Sequence, residues 1–97
     1  MITWGFPPSY SDAVVLNQNF TNSGLTLLAA YIYVGVSGDI VWENNKGEAQ
    51  WAPGVPVGYI ILGAKRILSA GTVNGTPRLT TATTMTWFSV NQLYNTP

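Results

Sequence analysis

The sequence predicts an all-β fold: a small antiparallel β-sandwich or barrel with short turns and an extended N-terminal arm. Three observations lead there. Short runs of β-branched and aromatic residues recur along the chain. Clusters of Gly, Pro and Asn separate them at close intervals. No stretch carries a convincing helical period. The chain's 97 residues suit one domain, large enough to bury roughly 60–65% of the surface that the unfolded chain exposes. Residues 1–12 read as the arm and 13–97 as one β domain.

The arm contains Trp4-Gly-Phe-Pro-Pro-Ser-Tyr10. Its proline pair favours an extended, polyproline-like path. Trp4, Phe6 and Tyr10 are therefore candidates for contact with a neighbouring subunit, or for folding back on the chain's own core. Ala13 to Leu16 is a candidate strand, and Asn17 to Gly24 a loop rich in residues that bond their own backbone.

Leu25 to Val36 is the longest apolar run. In its second half Ile32, Val34 and Val36 share one face, and Tyr31, Tyr33 and Gly35 the other. Both faces are apolar, so this strand is expected at the centre of the sheet or covered on both sides. After Ser37-Gly38, Ile40 to Trp51 reads as a hairpin about Asn44-Asn-Lys-Gly47. Trp42 and Trp51 are expected to meet across it. Pro53 and Pro56 forbid a central ladder position. Tyr59 to Leu62 and Ala64 to Ala70 are further strands, with Gly63 a bulge or bend between them. Gly71 to Pro77 is expected to be a loop. The Thr-rich Arg78 to Thr86 and the run Met85 to Val90 close the sheet, with Trp87 in the core. A polar tail, Asn91 to Pro97, follows.

Composition narrows the function. Only 8% of residues are charged, and four basic side chains cancel four acidic ones, against a usual charged share of about 25%. So few charges leave a surface that tends to associate. Four Trp and five Tyr point the same way, because large aromatics favour interfaces. Lys46, Lys65, Arg66 and Arg78 are too few to track phosphates, so no nucleic acid partner is expected. No apolar run is long enough for a membrane-spanning helix. No signal peptide and no membrane partner are expected either.

The chain has no Cys and no His, which removes thiolate sites and the commonest metal ligand and general base. Glu43 and Glu48 flank one turn, and with Asp39 they could be weighed as a glycosidase pair or a calcium site. Neither the pairing nor the spacing is distinctive. No catalytic residue, metal or cofactor is expected. Lys65-Arg66 is the one basic pair. It could meet an acidic patch on a partner protein or protect a strand edge. If the strand alternates, the two side chains point to opposite faces.

Tyr33-Val-Gly-Val-Ser-Gly-Asp-Ile40, Gly54-Val-Pro-Val-Gly-Tyr59, Arg66-Ile-Leu-Ser-Ala-Gly-Thr72 and Thr81-Ala-Thr83 together resemble the spike base proteins of tailed phages and gene transfer agents. The resemblance runs from Leu28 to Val90, about two thirds of the chain. It implies a non-enzymatic virion protein on the outer capsid surface that decorates the shell or forms the base of a head spike. The implied partners are the major capsid protein, sister copies in a trimer or pentamer, and a head fibre protein. On that reading Trp4, Phe6, Tyr10, Trp42, Trp51, Lys65 and Arg66 are the candidate interface residues. The alternative is a carbohydrate-binding or adsorption module in which exposed Trp residues stack on sugars.

Overall fold

The computed structural model describes residues 8–22 and 24–90. The chain is all-β and antiparallel, with no helix among the described residues. Ten strands follow in order: β1 Pro8–Ala13, β2 Thr21–Asn22, β3 Leu25–Thr26, β4 Ala29–Val36, β5 Gly38–Asn44, β6 Ala49–Val55, β7 Gly58–Leu68, β8 Ala70–Val73, β9 Thr76–Leu79 and β10 Thr83–Val90. Six of them form one sheet in the order β1-β10-β4-β7-β5-β6, while β2-β3 and β8-β9 are separate hairpins.

The sheet folds over on itself at β7. Only Ser37 separates β4 from β5, yet the two pair with opposite ends of β7: β4 with Gly58 to Ala64, β5 with Ala64 to Leu68. A flat sheet could not satisfy both. Two register shifts flank Ala64. Tyr31 pairs with Ile61 and Ala29 with Ala64, so β7 carries an extra residue around Leu62-Gly63, where the sequence indicates a bulge. Asn44 pairs with Ala64 and Glu43 with Arg66, so Lys65 is a second extra residue. Bulges let a strand turn the corner between layers. One layer is then β1-β10-β4 with the first half of β7, and the other is the second half of β7 with β5 and β6.

The core lies between the layers. Ile32 and Val34 of β4, Ile40 of β5, Leu62, Ala64 and Ile67 of β7, and Met85 and Trp87 of β10 are all buried there. Phe20 closes one end, its ring centroid 4.8 Å from that of Trp87. Asn17, with φ 67°, turns the chain into this loop. Its side chain accepts from the Ser69 N–H at 2.9 Å and donates to Ser69 Oγ at 3.1 Å.

Several sequence boundaries shift. The expected strand Ala13 to Leu16 is a loop beyond Ala13, and the ladder instead begins at Pro8. Pro8 to Asp12, assigned to the arm, thus belong to an edge strand of the sheet. Met1 to Pro7, with Trp4 and Phe6, lie outside the described residues, as do 91–97. The long run from Leu25 divides into the short β3 and the central β4. The expected loop at Gly71 to Pro77 is most of the hairpin β8–β9. Asn74 and Gly75, at φ 52° and 81°, form its two-residue turn, a pairing of residues that tolerates left-handed geometry at both positions.

That hairpin covers the outer face of the second layer. The Thr80 hydroxyl donates to the Leu68 carbonyl at 2.6 Å and accepts from the Val41 N–H at 2.8 Å. Gly71 of β8 lies so close to Val41 that an added Cβ would stand 3.2 Å from its Cγ1, and Val41 is buried although it points away from the core between the layers.

Candidate functional site

The sequence-selected tryptophans do not form a surface. Val41 pairs with Trp51 and Trp42 with Gln50. This register places Trp42 and Trp51 on opposite faces, so they do not meet across the hairpin. A one-residue offset reverses every side chain's face, and the turn sets that offset. Asn44 Oδ1 accepts from the N–H groups of Lys46 and Glu48 at 2.9 and 3.0 Å. Trp42 packs against the core. Trp51 lies under Arg78, whose guanidinium carbon sits 3.6 Å from the ring centroid. Trp87 is 3% exposed. The three described tryptophans therefore offer no open stacking platform.

Tyr10 turns inward. Its ring centroid lies 5.4 Å from that of Trp87, and it packs against the core. Of the two roles open to it, folding back on its own domain is the one adopted.

Lys65 and Arg66 also differ from expectation. The bulge at Lys65 breaks the alternation, and both side chains reach Glu43 (Lys65 Nζ to Oε2 3.3 Å, Arg66 Nε to Oε1 3.0 Å). They lie on a central strand and spend their charge within the domain. Glu43→Ala leaves two partly buried cations side by side. It is expected to cost roughly 1–2 kcal/mol, with a smaller cost at high salt. Urea midpoints at two ionic strengths check this, and equal losses at both would mean that the contact is not ionic.

The carboxylates do not converge. Asp39 accepts from the Gly54 N–H at 2.9 Å at one end of β5. Glu43 is paired at the other end, and Glu48 accepts from the Asn44 side-chain amide at 3.1 Å. Among the described residues no three such groups gather as metal ligands. A cleft of about 90 Å³ beside β1, lined by Asp12, Gln18, Asn19, Phe20 and Trp87 among others, has room for a few water molecules.

What the structure does assemble is an aromatic face on the outside of the first layer. Register aligns two rows across four strands. The first is Ser11, Phe88, Tyr31 and Ile61. The second is Ala13, Thr86, Tyr33 and Tyr59. None of the eight is charged. Ile61 is 90% exposed and Tyr59 65%. The rings support one another: Tyr31 and Phe88 stack at 5.2 Å with planes 16° apart. Tyr59 meets Tyr31 and Tyr33 edge-on at 5.8 and 4.9 Å. Such contacts hold the rings in place at about 0.5–1.5 kcal/mol per pair. Tyr31 and Phe88 each turn one ring face to the other. A rigid, uncharged aromatic patch of this kind is the material of interaction surfaces.

Sequence reasoning passed over this face, although its signal was present. Tyr31 and Tyr33 alternate with Ile32 and Val34, and two apolar faces fit a central strand as well as one covered on both sides. Among the described residues nothing covers the tyrosine side. Compared with protein families, curated proteins and solved structures, the chain matches none.

Proposed function

We propose that this chain is a non-enzymatic structural protein of a tailed-phage particle that decorates the outer capsid or forms the base of a head spike. The observation that carries the reading is the uncharged aromatic face built on Phe88, Tyr31, Tyr33, Tyr59 and Ile61. The motif resemblance supplies the particle. The face binds the major capsid protein, and sister copies associate with one another on the shell. A head fibre protein attaches to the assembly. Modest affinity per copy suffices, because many copies bind one lattice.

The test begins with tailed particles purified from the culture that makes the protein. Mass spectrometry and immunogold electron microscopy should find many copies on the outer shell. Protein found only outside the particles overturns the reading. The contribution of the arm needs a cut before β1: removing residues 1–7 leaves Tyr10 on Trp87, whereas a cut through Tyr10 also removes a core contact. The shortened protein is expected to keep its sheet and to lose occupancy on particles. Full occupancy would release Trp4 and Phe6 from any part in attachment.

A further inference from the structure

Among the described residues, the six-stranded sheet leaves three strand edges without a pairing strand, and they are not alike. The outer edge of β1 carries Pro8 and a register shift between Pro8 and Tyr10. The outer edge of β6 carries Pro53 and a register shift opposite Gly38 to Ile40. Proline and bulges are the usual means of keeping an edge unpaired. The third edge is the first half of β7. Beyond Ala64, β5 no longer accompanies it, and among the described residues no strand pairs with the second edge of Gly58 to Leu62. This segment reads Gly58-Tyr-Ile-Ile-Leu62. It has no proline and no charge, and its strongly β-forming residues Tyr59 to Ile61 run between Gly58, at φ 133°, and the bulge at Leu62-Gly63.

We infer that this edge pairs antiparallel with the same edge of a second copy of the chain, about a two-fold axis through Ile60. The segment is self-complementary in that register. Gly58 faces Leu62 of the partner subunit, and Tyr59 faces Ile61 of the partner subunit. The symmetry makes the second pair twice, an aromatic opposite a β-branched residue, which is a favourable cross-strand combination. Tyr59 and Ile61 are the exposed large apolar side chains of the aromatic face, and pairing covers part of both. The row Ser11, Phe88, Tyr31, Ile61 then continues into the second row of the partner subunit. Two four-strand layers become one eight-strand layer with an unbroken uncharged face. No like charges oppose one another across the axis, so a second copy meets no electrostatic barrier. The contact rests on the strand edge and does not depend on the capsid reading.

The full chain is tested by light scattering over a wide concentration range, beside Ile61→Lys. Ile61 is 90% exposed, so the substitution leaves the core intact, and circular dichroism should confirm an unchanged fold. It places a charge on the edge and removes both Tyr–Ile pairs. The wild type is expected to have the mass of two copies or an even multiple. Ile61→Lys is expected to halve that mass, with at least about a tenfold weaker association. The chain has no cysteine, so Tyr59→Cys and Ile61→Cys report register directly. Mixed together they should form a disulfide-linked pair under mild oxidation, and neither alone should do so efficiently.

A monomer at all concentrations overturns the inference; it would mean that terminal residues of the same chain or a different protein take this edge. An odd-numbered assembly, a mass unchanged by Ile61→Lys, or no mixed cross-link overturns it as well. A dimer absent from particles removes the proposed function and keeps this contact. Monomers bound to particles do the reverse.

Discussion

Trp87→Ala is expected to cost about 3–5 kcal/mol, a large share of the 5–15 kcal/mol that a small domain usually has. Trp87 is 3% exposed in the middle of β10. Its ring touches Phe20 of the loop before β2 and Tyr10 of β1, with centroids 4.8 and 5.4 Å away. Deleting it removes buried area and leaves a cavity shared by three segments distant in sequence. None of them can fill it by a simple rotamer change. The melting midpoint should fall by roughly 12 °C or more for a chain this short. Amides of β1 and the Phe20 loop should lose exchange protection before those of β4 and β7. A loss below about 1 kcal/mol would show that Trp87 is not what holds these segments together.

Gly38→Ala should lower stability by roughly 3 kcal/mol, by steric means. A Cβ at Gly38 would stand 2.5 Å from the Ala82 nitrogen, 2.6 Å from Thr81 Oγ1 and 2.7 Å from the Thr81 carbonyl carbon. Most of these atoms are backbone and cannot rotate aside. They are also bonded to the neighbouring residue. The Asp39 carbonyl accepts from the N–H groups of Thr81 and Ala82 at 2.9 and 3.1 Å, and the Asp39 N–H donates to Thr81 Oγ1 at 2.8 Å. Moving the crossing chain to admit a methyl therefore strains three hydrogen bonds. Gly63→Ala is the control, because nothing lies within 4 Å of its added Cβ. Urea unfolding should move the midpoint for Gly38→Ala with little change in slope and leave Gly63→Ala near wild type. Similar losses for both would remove the close-approach explanation.

The Ser37-Gly38-Asp39 stretch shows how much was legible beforehand. Ser37-Gly38 marks a break in the sequence, and there the chain leaves β4 for β5 in the other layer through Ser37 alone. That Asp39 would anchor a segment more than 40 residues away was not legible, because both Thr81 and Ala82 reach it only after the sheet has folded over. Lys65 and Arg66 repeat the lesson. Alternation separates them, and a bulge created where β7 turns the corner brings both to Glu43. Trp42 and Trp51 were correctly placed on one hairpin and incorrectly on one face, because a single residue in the turn decides parity.

The sequence by itself determined the all-β class, the central position of the strand ending at Val36, the Asn44–Gly47 turn, the bulge near Gly63 and the shortage of charge. These follow from local rules: side chains alternate every two residues, and only some residues fit turns. The tertiary structure alone decided which apolar faces are covered. Val41 and Tyr31 both sit opposite the core between the layers, Val41 on a face shared with Asp39 and Glu43 and Tyr31 on the second apolar face of its strand. The β8–β9 hairpin lies over Val41 and buries it completely, while the face bearing Tyr31 stays open. Alternation says which residues share a face; what packs on that face depends on contacts between segments far apart in the chain.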